Sequence, residues 1–249
     1  MIRSVRGTVL SCVAGLVAGA GVAAETTLDL PVMSDYMFRG LNVNDEAVLQ
    51  PSLTTAAENG FSFNTWANVD LTDNGPLGSG DVSEIDLTPM YSFEAADFGV
   101  TLGVAMYFFP NQEIEQTEEL FVVLGHSAIP FGTTLSVYYD VGAADGGLYA
   151  SLAGGHDFAL SDATALSLGV SVGYSSSDYN MYYLGADLDG FNDVNVGLTL
   201  AHTFTENVSV SLGISFSALI DSDIEEAAEG IYFNDGETVY GGATYSWAF

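Results

Sequence analysis

Carboxylates dominate the residues able to do chemistry. Thirty-three Asp and Glu stand against three Lys plus Arg, with three His and one Cys, and the formal net charge is -30. The three cations are Arg3, Arg6 and Arg39. Such a chain is not built to hold nucleic acid, whose phosphates demand clustered Lys and Arg. Carboxylates can instead attract cations, ligate a divalent metal or work in acid–base pairs. A hydrolase would also need a nucleophile or activated water in reach of a His. No Ser stands near His126, His156 or His202 in a spacing that marks a lipase or deacylase. Asp221-x-Asp223-x-Glu225 has the opening spacing of a Ca²⁺ loop, but Glu226 occupies the glycine position and Tyr232 that of the last glutamate. The plainer reading is a solvated acidic run that gathers counter-ions, including divalent cations that bridge lipopolysaccharide. Neither a metal site nor a cofactor is expected.

The elements that carry these groups follow from hydrophobic periodicity. Hydrophobic content is 48% and charged content 14%, so the chain can bury apolar surface and is not disordered. Beyond the N-terminus no continuous apolar run has the length of a spanning helix. Apolar residues alternate with small or polar ones, as in Phe98-Val100-Leu102-Val104-Met106-Phe108 and Val208-Val210-Leu212-Ile214-Phe216. Such segments recur at 27–39, 47–57, 61–71, 83–94, 98–109, 118–128, 133–141, 147–158, 164–174, 191–204, 207–218 and 237–249. Segment 118–128 is apolar on both faces. Connections alternate between short ones, such as Glu58–Gly60 and Thr205-Glu206, and long ones, such as Ser175–Gly190 and Leu219–Gly236. Strands near ten residues with alternately short and long connections predict an all-β fold: a transmembrane antiparallel up-and-down β-barrel of about 12 strands. The soluble rival is a β-sandwich, which favours shorter strands. Arg3 and Arg6 precede an apolar stretch from Thr8 to Val22 that ends in Ala23-Ala24. This predicts a cleaved secretory signal at 1–24 and a barrel over 25–249. Cys12 would leave with the signal, and Arg39 would be the one cation kept.

Parity then places the chemistry. With apolar positions outward, Arg39, Asp70, Glu84, Asp86, Asp140 and Asp193 point into the lumen near the outer mouth, Arg39 as part of strand one. One cation in a ring of carboxylates predicts a preference for cations, and a buried Arg39 requires a carboxylate partner. The lumen aromatics Trp66, Tyr107, Tyr138 and Tyr149 narrow one side. The small inward residues of strands eight to twelve predict an open space on the other. The histidines share the parity of the lipid face and lie near the periplasmic rim.

The last segment steps by twos through Val239, Gly241, Ala243, Tyr245, Trp247 and Phe249. A final strand with Tyr245, Trp247 and Phe249 on one face resembles the signal read by the outer-membrane assembly machinery. Ser34-Asp35-Tyr36-Met37-Phe38-Arg39-Gly40, then Gln50-Pro51-Ser52, then Asn59-Gly60-Phe61 with Trp66, resembles the opening of the proteobacterial TorF-type porin family. The sharp motif covers about residues 34–70, and the layout covers the chain. The resemblance implies a bacterial outer-membrane barrel and carries no catalytic residues. The expected function is passive diffusion of small solutes or ions, biased toward cations, with no enzyme activity. The alternatives are a non-conducting structural or surface-interaction barrel and, third, an outer-membrane hydrolase. Expected partners are outer-membrane lipid and lipopolysaccharide, the barrel assembly machinery, and small solutes or cations.

Overall fold

The computed structural model describes residues 24–73, 77–233 and 236–249. The expected signal segment lies outside these residues, apart from Ala24. The elements in chain order are β1 Ala24–Met33, β2 Tyr36–Phe38, β3 Leu41–Asn44, β4 Val48–Leu49, β5 Ser52–Ala57, β6 Phe61–Asp70, β7 Val82–Ala95 and β8 Phe98–Phe108. They continue with β9 Thr117–His126, a 3₁₀ turn at Pro130–Gly132, β10 Thr134–Asp140, β11 Leu148–Ala159 and β12 Thr164–Ser175. The last are α1 Ser177–Leu184, β13 Gly190–Thr203, β14 Val208–Leu219, α2 Ser222–Ala228 and β15 Glu237–Ala248.

From β5 to β15 consecutive strands pair antiparallel, β1 pairs with β4 and β5 on one side, and on the other it pairs with β15 from Thr27↔Ala248 to Met33↔Gly242, which closes the sheet. β4 and β5 are two pieces of one strand, so the result is a closed barrel of 12 strands. The break falls at Gln50-Pro51, where Pro51 has no N–H to give a ladder. Gln50 N still donates to Pro31 O at 2.9 Å. Closure rules out the sandwich, which keeps two sheets with edges. It also gives each wall strand a neighbour on both sides, which a hydrocarbon environment demands.

The alternation sorts the side chains as the period requires. Leu102, Leu120, Leu152, Leu198 and Val239 are exposed on the outer face. Their inward neighbours Thr101, Glu119, Gly197 and Thr199 are buried. An exterior that exposes large apolar side chains along most strands is a lipid face. At the short-turn end it gathers aromatics, among them Phe61, Phe98, Phe158, Phe204, Trp247 and Phe249. The histidines belong to this girdle: ring centroids lie 4.5 Å apart for His126–Phe98, 4.7 Å for His156–Phe158 and 4.6 Å for His202–Phe204.

One expected strand is corrected. Segment 27–39 does not run through, because β1 ends at Met33. Ser34 N donates to Gly241 O at 2.8 Å and Ser34 Oγ accepts from Gly241 N at 2.9 Å, which anchors the chain to β15 where it leaves the wall. Residues 36–44 form a separate hairpin, β2–β3. Period two continues through Tyr36 and Phe38, but the period does not say which sheet a strand joins.

Candidate functional site: the outer half of the lumen

The β2–β3 hairpin turns into the barrel. Phe38 pairs with Leu41, which leaves Arg39-Gly40 as a two-residue turn. Both residues have positive φ, 49° for Arg39 and 84° for Gly40. A tight hairpin of this kind needs that geometry at both central positions. Gly40 supplies it freely, and a Cβ there would sit 2.6 Å from Asp193 Cβ. Arg39 adopts it at a cost of about 1–3 kcal/mol, so the surroundings must hold it.

They do so with charge, rings and hydrogen bonds. Arg39 Nη1 and Nη2 donate to Glu119 Oε1 and Oε2 at 2.7 and 2.6 Å, a two-pronged pair. The guanidinium carbon lies 4.8 Å from the ring centre of Phe38, 4.5 Å from Tyr138, 4.5 Å from Tyr149 and 5.6 Å from Tyr179. Tyr107 Oη donates to Glu119 Oε2 at 2.7 Å, and Asn192 Nδ2 to Arg39 O at 2.7 Å. The Arg39 and Glu119 side chains are 9% and 1% exposed, so the pair is desolvated and depends on these partners.

The carboxylates expected to ring Arg39 are placed as follows. Glu84 accepts from Tyr36 Oη at 2.6 Å. Asp70 accepts from Asn44 Nδ2 and Asn68 Nδ2, both at 3.0 Å. Asp140 accepts from Thr117 Oγ1 and from the Gly142 and Ala144 amides. Asp193 accepts from Tyr149 Oη at 2.8 Å and Asn192 Nδ2 at 3.0 Å. Asp86 stands across from Trp66 and Tyr107 on the neighbouring strands, and its Oδ1 is buried with no hydrogen-bond partner among the described residues. Trp66 packs on Tyr36 at 5.6 Å and Tyr138 on Phe121 at 5.4 Å. All lie in the outer half of the barrel, but the ion pair of Arg39 is with Glu119. Sequence reading missed Glu119 because its strand is apolar on both faces; the register puts it between Ala105 and Asp140 on the inner wall. The usable signal was the lone cation itself, since a buried Arg needs an acid. Tyr36, Tyr179 and Asn192 carried no such signal.

Outer loops close over this network. Leu41 from the hairpin joins Leu184, Leu219, Ile224 and Ala228 in a buried apolar cluster, with Tyr183, Leu188 and Tyr232 against it. Helix α1 starts on Ser176, whose side chain accepts from Tyr179 N, and ends on Gly185 in the left-handed region. Helix α2 starts on Asp221, whose carboxylate accepts from the Asp223 and Ile224 amides. The acidic run with Ca²⁺-like spacing is thus a helix start. Phe233 N donates to Asn42 O at 2.9 Å and ties the last loop to the hairpin. Burial raises the phenols of Tyr179 and Tyr183 above their usual value, and that of Tyr232 to about 12, so these loop rings stay neutral. Tyr107 and Tyr149 line the same packed volume, so the mouth is filled rather than narrowed on one side.

The periplasmic half differs. Its inward residues include Thr54, Ser62, Asn64 and Ser211, all half-buried. Asn64 Nδ2 donates to Ser52 Oγ at 2.8 Å and Thr54 Oγ1 at 2.7 Å, a local wall contact. The expected open side does not appear as such: small inward side chains are buried both near the mouth, at Ser175 and Ser217, and toward the periplasmic end, at Ala165, Ser167 and Thr199.

The closed sheet, the lipid face and the polar lumen define the class: a transmembrane β-barrel with the fold of outer-membrane porins. Among solved structures, the COG4313 outer membrane channel from Pseudomonas putida F1 matches with TM-score 0.53 at 13% identity, covering 96% of this chain and 100% of that one. The NanC porin matches with TM-score 0.53 at 13% identity over 89% and 98%, and the KdgM porin with 0.52 at 8% over 90% and 99%. No curated protein matches the sequence. The chain belongs to the Gcw_chp family, described as bacterial protein of unknown function, whose profile matches residues 17–244.

Proposed function

We propose that this protein is a porin-like channel of the bacterial outer membrane that passes small solutes or ions, favours cations, and has its outer mouth closed in this structure. The observation that carries the reading is the charge of the outer lumen. Asp70, Glu84, Asp86, Glu119, Asp140 and Asp193 gather there against Arg39. Below them the inward wall is mostly of small or polar residues, among them Thr54, Ser62, Asn64, Ser167, Thr199 and Ser211, which suits weak, passive passage. Acidic rings favour cations in a pore, and low dielectric beneath the loops strengthens that field. The TorF-type resemblance of residues 34–70 and the channels of like fold support the same reading. Outer-membrane lipid, lipopolysaccharide and the barrel assembly machinery are its proposed partners, the first through the exposed apolar belt.

The test is reversal potential across a salt gradient in planar bilayers. We expect a cation preference that weakens at high salt, as screening shortens. Neutralising Asp70, Glu84 and Asp86 together should lower it more than neutralising Asp223, Glu225 and Glu226 in the last outer loop. An anion preference, or equal effects, would refute the charge assignment. One observation favours a second reading: the hairpin, α1 and α2 share a buried apolar cluster, as a permanent plug would. Absence of conductance in the parent and in variants of the hairpin would favour that structural barrel.

A further inference from the structure

The Arg39 side chain is held the way a binding site holds a ligand. Its backbone is in a conformation that favours glycine or asparagine over arginine, with φ at 49°. Its head group meets a two-pronged carboxylate at 2.6 and 2.7 Å and the faces of Tyr138 and Tyr149 at 4.5 Å each. Tyr179 from α1 adds a further ring at 5.6 Å, and Tyr107 orients Glu119 from behind at 2.7 Å. A planar, delocalised cation between aromatic faces and a forked carboxylate is the pattern by which guanidinium is told from ammonium. The wall supplies Glu119, Tyr107, Tyr138 and Tyr149 from β8 to β11, whereas Arg39 arrives on a hairpin that belongs to no wall strand. Receptor and occupant are therefore separate parts of the chain.

We propose that Glu119, Tyr138, Tyr149 and Tyr179 form a binding site for guanidinium-bearing solutes, occupied in this state by Arg39 as a tethered stand-in. A free solute carrying the same group competes with Arg39, and its binding releases the tip of the hairpin. The tether sets an effective concentration on the order of millimolar or above, so an ordinary monovalent cation does not displace the tip. A guanidinium solute at comparable concentration, or one with further contacts, does. Binding itself is independent of conduction; only the consequence, selection of guanidinium solutes among cations, rests on the channel reading.

The experiment uses the full chain folded in detergent micelles, with methylguanidinium as the probe and sodium and methylammonium as controls at equal ionic strength. Arg39→Ala empties the site. Methylguanidinium in excess should then raise the thermal midpoint by about 2–4 °C over either control. The parent should not respond at the same concentration, and adding Glu119→Gln to Arg39→Ala should abolish the rise. An equal response to all three cations, or a rise that survives Glu119→Gln, overturns the proposal. Should Arg39→Ala not fold, Arg39→Lys keeps a tethered charge but cannot form the fork, and it should show the same methylguanidinium-specific rise at higher concentration; no such rise overturns the proposal. Bilayer recording separates the two readings. Specific binding without current retains the site and sinks the channel, whereas current without a specific response does the reverse.

Discussion

The two halves of the lumen are built on the same strands and the same alternation, yet they are held by different physics. In the outer half, inward positions carry acids and large aromatics, and loops cover them. Of the six inward carboxylates Asp70, Glu84, Asp86, Glu119, Asp140 and Asp193, all but Asp86 accept a hydrogen bond from a named side chain there. In the periplasmic half, inward positions are mostly small or polar, some half-buried as at Thr54, Ser62 and Ser211 and some buried as at Thr101, Ser167 and Thr199, and among the described residues no loop enters, because the turns at that end are too short. The difference shows what the long loops are for. A charge may face a barrel interior unpaired while water fills it, but once a hairpin displaces the water each charge needs a partner. Tyr36, Asn44 and Arg39, carried in by the hairpin, serve Glu84, Asp70 and Glu119 respectively.

The largest test of that contrast is the buried pair. Arg39→Ala and Glu119→Ala each strand one desolvated charge and should each destabilise the closed outer half by about 3–5 kcal/mol. The double variant should cost much less than the two singles together, because no charge is then left alone. Hydrogen exchange of residues 36–44 and denaturant midpoints read both effects. Additive singles would mean that the pair is solvated and the outer half is not packed as described.

A smaller test makes the same change in each half of one strand. Ser217 and Ser211 both face inward on β14, but Ser217 is 1% exposed near the mouth and Ser211 is half-buried in the periplasmic half. Ser217→Leu should overpack and cost about 1–3 kcal/mol. Ser211→Leu should stay within about 0.5 kcal/mol. Equal midpoints for the two variants would erase the distinction between the halves.

The smallest effect on the lumen should come from the exterior. Phe249 is 57% exposed and stacks on Trp247 at 4.8 Å, at the periplasmic rim. Phe249→Ser should lower the folded yield in outer-membrane fractions, seen as less heat-modifiable protein on gels. The protein that does fold should keep the exchange protection of residues 36–44. Undiminished yield would count against the proposed role of Tyr245, Trp247 and Phe249 in insertion and assembly.

Much of the barrel was legible because a strand with one face in lipid and one in a polar lumen must alternate. The expected segment 207–218 and β14 at Val208–Leu219, for example, differ by one residue at each end. Strand β9 gave the least warning: its inward side mixes Phe121 and Val123 with Glu119, so parity had nothing to sort. The 34–40 motif stood out in the sequence, yet its type-I′-like turn at Arg39-Gly40 reads as a strand end if only period two is followed. Gly40 was the local hint, since a glycine after an alternating run marks a turn.

The sequence by itself determined the local and periodic properties: which residues span, which faces meet lipid, where the long loops fall, and that Arg39 would need an acid. Those follow from spacing along the chain, where side-chain direction is set by backbone geometry every second residue. Only the tertiary structure decided which acid. Glu119 lies 80 residues from Arg39 in the chain, and their meeting depends on barrel closure, on strand register and on a loop that folds inward. It also decided that the outer lumen is filled: the small residues of β12 to β14 are compatible with an open pore, and only the packing of the hairpin, α1 and α2 above them removes the space.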